Sequence, residues 1–385
     1  MTSLDGLPKK FTEMFAGDPR IFRAPGRVNL IGEHVDYNEG LVLPIAIDRD
    51  CFVCARPRSD RRLRIHSEQM RETIECGLDD PRPGQHHWSN YVRGVAWALA
   101  ETGRDIGGAD LLISNDVAMG AGISSSAALE VSCGLAFLGI ANAEMEPVAL
   151  AQACQRAEDE FVGMHCGIMD QLAACCGRRG HAMLIDCRTR EIDMEPLDES
   201  EVSVVVANTM GRHALAASSE YNRRRKECDE AVERIRAERP DVRALRDVYW
   251  EDIERMAREW PQSIRRRARH VTTEIERVRV AAQALRKRDF AALGRLITQS
   301  HKSLDEDYEV SSAELNLMVK LAGELPGFLG GRMTGAGFGG CTVNLVQTNA
   351  AADFANALAK SYKDRSGILP DVYMCHASSG AAEIT

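Results

Sequence analysis

"GAGISSSAALE", residues 120–130, is a glycine-rich turn that runs straight into an apolar helix. Two glycines let the backbone approach a ligand closely, and the serines suit the opening turn of a helix. Unpaired N–H groups at a helix start form an anion site, suited to nucleotide phosphates. No Gly-Lys-Ser/Thr follows, so this is not a Walker A loop. Ser126 and Glu130 lie four apart on one helix face, where a hydroxyl and a carboxylate can share a Mg²⁺ ion. Standing alone, the stretch also reads as a loop that caps a core helix.

Outward from it, "GADLLISNDV" before the turn has the texture of a strand, and "EPVALAQACQRAEDEFVG" after it that of a long helix stopping at Gly163. Further back, residues 8–16 read as a short helix, "RIFRAPGRVNLIGE" as strand, turn, strand, and "LVLPIAIDRDCFVCARP" as β-rich. From about 217 to 325 helical patterns rich in Arg, Glu and Ala dominate. Strands return at "CTVNLVQ" and "DVYMCHAS", around the helix "AAADFANALAKSYKD". The pattern predicts an α+β protein in two halves, 1–197 and 198–385.

At 385 residues the chain suits two or three domains, and its 44% hydrophobic and 27% charged residues are globular values. Acids exceed Lys and Arg by 57 to 48, which argues against nucleic acid as a partner. The basic runs Arg223 to Lys226 and Arg265 to Arg267 sit in Glu-rich helical segments and read as solvated helix faces. Twelve cysteines without regular spacing, including the lone CxxC of Cys51 and Cys54, read as mostly buried reduced thiols. No apolar leader opens the sequence and no stretch reaches eighteen apolar residues, so a cytoplasmic protein without membrane contact is expected.

Three further stretches carry chemistry. "GRVNLIGEHVDYNEG", residues 26–40, crowds Arg27, Glu33, His34 and Asp36 within ten positions. "GRMTGAGFGGC", residues 331–341, has five glycines in eleven positions and leads into a strand, as a loop over a nucleotide or sugar would, or as a tight β-turn would. "CGIMDQ", residues 166–171, sets one carboxylate, Asp170, in an apolar frame, where a cap or turn role is the ordinary one.

Together these stretches resemble the motifs of the GHMP small-molecule kinases, and within them the galactokinases, along nearly the whole chain. "WSNYVRGV" (88–95), "SSEYNRRRKEC" (218–228) and "LDEDYEVSSAEL" (304–315) extend the resemblance. It implies a ribosomal protein S5 domain 2-like N-terminal half and a ferredoxin-like C-terminal half, with the active site between them. It implies Arg27 and Asp170 as the catalytic pair at the anomeric hydroxyl. Glu33, His34, Asp36, Gly167 and Tyr221 would hold the other sugar hydroxyls. Gly120, Gly122, Ser124 and Ser125 would cradle ATP phosphates, Ser126 and Glu130 would hold Mg²⁺, and Trp88 would lie near the adenine. The activity implied is ATP-dependent phosphorylation of D-galactose by a monomeric enzyme. Sister kinases for N-acetylgalactosamine, galacturonate or arabinose are the alternatives, as is a non-catalytic sugar- and ATP-binding regulator. The crowded charges of 26–40 would then be a sugar clamp, since carboxylates and imidazole suit a ring of hydroxyl donors. Three departures stand out: His165 replaces the usual Pro before "CGIMDQ", the segment before Tyr221 carries an extra residue, and "EVSSAEL" has Ser-Ala for Cys-Pro.

Overall fold

The computed structural model describes residues 4, 6–79, 82–85, 87–211 and 214–384, the side chains of 214–218 excepted. The larger sheet has six strands in the order Ala382–Ile384, Arg20–Asn29, Pro44–Arg58, Gly108–Asn115, Arg62–Ser67, Glu72–Gly77. All pairs are antiparallel except Arg62–Ser67 with Gly108–Asn115, whose connection carries the helix His87–Glu101, as a parallel crossover requires. Helix Ser125–Ile140 packs against Arg20–Asn29 and Pro44–Arg58. It is apolar all round, the mark of a helix enclosed by protein.

The second sheet has the order Phe328–Met333, Cys341–Gln347, Val202–Asn208, Asp371–Cys375. Helices Ala313–Gly323 and Ala351–Ser366 cover it, burying Met318, Phe354 and Leu358 against Val205 and Val346. A three-stranded sheet, Leu41–Val42, His181–Asp186 and Ile192–Pro196, lies between helix Gln262–Arg286 and strand Pro44–Arg58. The last strand, Ala382–Ile384, returns from the C-terminal half to pair with Arg20–Asn29.

Three expectations change on contact with the structure. "RIFRAPGRVNLIGE" is one strand, Arg20–Asn29, with a bulge between Pro25 and Arg27 rather than a turn. Gly26 permits it, because a Cβ there would lie 2.8 Å from the Ile123 carbonyl oxygen. The helix expected through Gly163 is α-helical only over Pro147–Arg156 and then widens into a π-helical turn, Ala157–Val162. The basic runs are not wholly solvated. Arg224 and Arg267 are buried, and Arg267 pairs with Glu227 at 2.7 Å and Glu309 at 2.6 Å while donating to the Asp307 carbonyl. Such partners offset the desolvation of a guanidinium, which local composition cannot reveal. Finally, the extra residue before Tyr221 concerns a segment that includes 212–213, outside the described residues.

Cys51 and Cys54 enter separate core clusters, and all twelve cysteines are free. No helix among the described residues is long and apolar enough to cross a membrane.

Candidate active site

The bulge in strand Arg20–Asn29 turns Arg27 toward the start of helix Ser125–Ile140. Its Nε donates to Asp170 Oδ1 at 2.9 Å and its Nη1 to the Gly122 carbonyl at 2.7 Å. Asp170 stands in the first turn of helix Met169–Cys176, and its Oδ2 accepts from Ser124 Oγ at 2.5 Å. Burial works against the Arg27 charge, yet the carboxylates of Asp170, Glu33 and Asp36 hold its pKa above the ordinary value. Ser124 caps the long helix in a left-handed conformation, φ 63°, with its hydroxyl spent on Asp170 rather than on a helix N–H. Strain of this kind gathers at functional sites.

These groups line a cavity of about 580 Å³, within the range of small-molecule sites. Gly120, Gly122, Ser124, Ser125 and Ser126 form one wall, and Gly335 to Gly340 another. The two glycine loops press together. A Cβ on Gly122 would meet the Thr334 oxygen at 2.7 Å, and one on Gly335 would meet Gly122 Cα at 2.5 Å. Cys341 N–H donates to the Ala121 carbonyl at 3.1 Å, which locks the contact. Trp88 closes an apolar end with Met70, Ile113, Met119 and Leu129, its Nε1–H donated to Glu72 at 2.9 Å.

The clamp residues meet one another, with the His34 and Tyr221 rings 5.5 Å apart and Asp36 against Gly167. Glu33, His34, Asp36, Gly167 and Tyr221 all line the cavity. Glu33 is already engaged by the protein: Oε1 accepts from Gly335 N–H at 2.7 Å, and Oε2 pairs with buried Arg332. Gly167 sits against Asp36 so closely that a Cβ would fall 1.9 Å from Oδ2. Gly167→Ala must therefore displace the Asp36 carboxylate or its own loop. If Asp36 holds a sugar hydroxyl, as the resemblance implies, the expected result is a sugar KM raised about tenfold or more, the cost of roughly one displaced hydrogen-bonding group, with KM for the nucleotide little changed. An unchanged sugar KM would remove Asp36 from the sugar site.

Burial, then the charges of Asp170 and Glu33, push the Asp36 pKa up to about 7. Its proton is thus held more tightly folded than unfolded, so its contribution to stability is full below the ordinary value of 3.8 and is lost as pH rises to about 7. Asp36→Asn removes that loss. The Tm advantage of the variant over wild type is expected to grow from pH 4 to pH 7 and level off above, as scanning calorimetry would record. A constant difference contradicts the assignment.

Glu130 is the one residue of the expected site that the cavity does not reach. It is fully buried a turn below Ser126, where Gln171 donates to it at 3.0 Å and to Glu158 at 2.8 Å. Glu158, on the π-helical turn, does line the cavity. Burial, then the charge of Asp170, raises its pKa to about 7, and burial with the Glu158 charge raises that of Glu130. Among the described residues, Glu130 Oε1 has no hydrogen-bond partner. Crowded carboxylates and an orphaned oxygen beside a phosphate-type loop fit a divalent cation. Sequence reasoning missed Glu158 and Arg332. The first sits in an ordinary amphipathic helix pattern, and the second lies 299 positions from the Glu33 it pairs with.

The galactokinase galactose-binding signature matches residues 9–57, the GHMP kinase N-terminal domain residues 90–178 and the GHMP kinase C-terminal domain residues 281–364. A galactokinase of Roseiflexus sp. (strain RS-1) is 45% identical over 98% of this chain and 96% of its own. That of Bos taurus is 41% identical over 97% and 94%. The crystal structure of Lactococcus lactis galactokinase complexed with galactose superposes with a TM-score of 0.94 at 34% identity, covering 99% of this chain and all of that one. A mevalonate kinase structure, 16% identical with a TM-score of 0.63 over 92% of this chain and 98% of its own, shares the fold. The expected α+β, GHMP kinase architecture is thus the observed one, and the chain is a sugar kinase that belongs to the galactokinase family.

Proposed function

We propose that this protein transfers the γ-phosphoryl group of ATP to the anomeric hydroxyl of D-galactose, giving α-D-galactose 1-phosphate and ADP. The observation that carries it is the Arg27–Asp170–Ser124 cluster, where the clamp, the serine loop and the helix Met169–Cys176 meet in one cavity. Asp170 Oδ1 meets both Nε and Nη2 of Arg27, at 2.9 and 2.7 Å, whereas Oδ2 accepts from Ser124 alone and keeps a lone pair. Asp170 accepts the proton of the anomeric hydroxyl as its oxygen bonds to the γ-phosphorus and the bond to ADP breaks. Arg27 stands as a fixed cation beside that transfer. Because the transition state is loose, positioning and electrostatics outweigh base catalysis.

In this reading Asp36, Gly167 and Tyr221 face the sugar, with Glu33 and His34 behind them. The serine loop holds the phosphates and the Trp88 end the adenine. Ser126 and Glu158, which line the cavity, would hold Mg²⁺, with Glu130 buried behind them, and when bound it would supply positive charge to the phosphates. Ser126→Ala and Glu158→Gln are expected to raise the half-saturating Mg²⁺ concentration severalfold while leaving galactose affinity nearly unchanged, since only phosphates meet the metal. Unchanged values in a Mg²⁺ titration of both variants would move the cation elsewhere. The free thiols suit a reducing cytoplasm. The division into 1–197 and 198–385 is also part of this reading, supported by the new sheet that Val202–Asn208 opens. ADP release with galactose, measured against galacturonate, arabinose and N-acetylgalactosamine, tests the whole. Preference for a sugar other than galactose would replace the substrate, and no turnover with any would favour a binding protein.

A further inference from the structure

His34 has both ring nitrogens committed within the protein. Nε2 faces the Ala336 carbonyl at 3.1 Å, and Nδ1 faces the Tyr37 hydroxyl at 2.9 Å. A carbonyl can only accept, so Nε2 carries the proton, and in the neutral ring that burial favours Tyr37 donates to Nδ1. The Tyr37 oxygen then accepts from Tyr308 at 2.7 Å, and the Tyr308 oxygen accepts from the Cys228 thiol at 3.2 Å. One carbonyl thus orients four donors in series. Tyr308 is fully buried, and Arg224 holds its carbonyl at 2.7 Å. Neither tyrosine lines the cavity, yet the chain ends on the glycine-rich loop that does. The same loop is tied at Gly335 by Glu33, and at Phe338 its N–H donates to Val310 at 2.7 Å, two residues beyond Tyr308.

We propose that Cys228, Tyr308 and Tyr37 are positioning residues, a hydrogen-bonded relay that fixes His34 as the Nε2–H imidazole and through it pins Ala336 of the glycine-rich loop. The effect on ATP rests on the reading of the serine loop as the phosphate site, against which the glycine-rich loop packs at Gly122 and Gly335; the relay itself does not. Loss of one such bond corresponds to about a 3- to 10-fold change. Tyr308→Phe is therefore expected to raise KM for ATP about 3- to 10-fold. Cys228→Ala should act in the same direction, and Cys228→Ser, which keeps a donor, should match wild type. Nitrogen NMR of ¹⁵N-histidine-labelled enzyme, with the His34 signal identified by its loss in His34→Gln, should find wild-type His34 protonated on Nε2 alone, and altered shifts in Tyr37→Phe. Wild-type KM for ATP in Tyr308→Phe would overturn the relay, as would a proton on Nδ1. Should Tyr308→Phe not fold, equal KM values for Cys228→Ala and Cys228→Ser would overturn it too. Absence of ATP-dependent turnover in wild type would instead remove the nucleotide reading, and the His34 protonation site would still decide the relay.

Discussion

Asp170→Asn is expected to fold, to bind D-galactose and to lose about 10²–10⁴-fold in kcat, the usual contribution of a general base. The amide keeps the shape of the carboxylate and can still accept from Arg27 at the position Oδ1 now occupies, 2.9 Å from Nε. It cannot take up the hydroxyl proton. The fold survives because Arg27 also feels the charges of Glu33 and Asp36, so its buried guanidinium is not left unopposed. A second consequence follows from the same geometry. Asp170 is the leading charge that raises the Asp36 pKa, after burial itself, so the pH window of Asp36 should move down in the variant. Calorimetry with galactose, steady-state kinetics and a pH series of Tm together check this. More than about a tenth of wild-type kcat would mean that Asp170 is not the proton acceptor.

The motifs were legible because each is short and its chemistry local. Glycines 120 and 122 next to Ser124–Ser126 and the crowding of Arg27 through Asp36 are visible without any partner. Their convergence was legible only through resemblance to other chains, since 143 positions separate Arg27 from Asp170. What stayed hidden depends on distant partners. Arg267 reads as one charge in a solvated run until Glu227 and Glu309 are seen around it. The bulge at Gly26 depends on the Ile123 carbonyl beside it, a contact between a strand and a loop 97 positions apart. Glu33 reads as a sugar ligand alone, and the structure adds Arg332 and Gly335 on its oxygens. Glu158 sits on a π-helical turn that no periodicity in "AEDEFVG" announces. Ser124 reads as a helix cap, and it is one by position, but its hydroxyl serves Asp170.

Strong rejection of D-glucose is the other large effect expected. The two sugars differ at C4 alone, where the hydroxyl is axial in galactose and equatorial in glucose. Asp36, Gly167 and Tyr221 converge at one end of the cavity, and Gly167 leaves Asp36 no room to follow a misplaced hydroxyl. Tyr221 packs on His34 and Tyr37, with ring centroids 5.5 and 5.3 Å away, so its phenol is equally constrained. A polar group left buried without its partner costs about 1–3 kcal/mol, more when charged. Sites built around a substrate hydroxyl can discriminate by roughly 10⁴-fold, and a hydroxyl that is misplaced rather than missing should cost at least about 10³-fold in kcat/KM. Tyr221→Phe should narrow the gap by weakening galactose and not by improving glucose. The most direct measurement is kcat/KM of the wild-type enzyme for galactose and for glucose, read as ADP release at saturating ATP and Mg²⁺. A ratio of at least about 10³ in favour of galactose is the predicted result, and comparable values would contradict the assignment of this pocket to galactose.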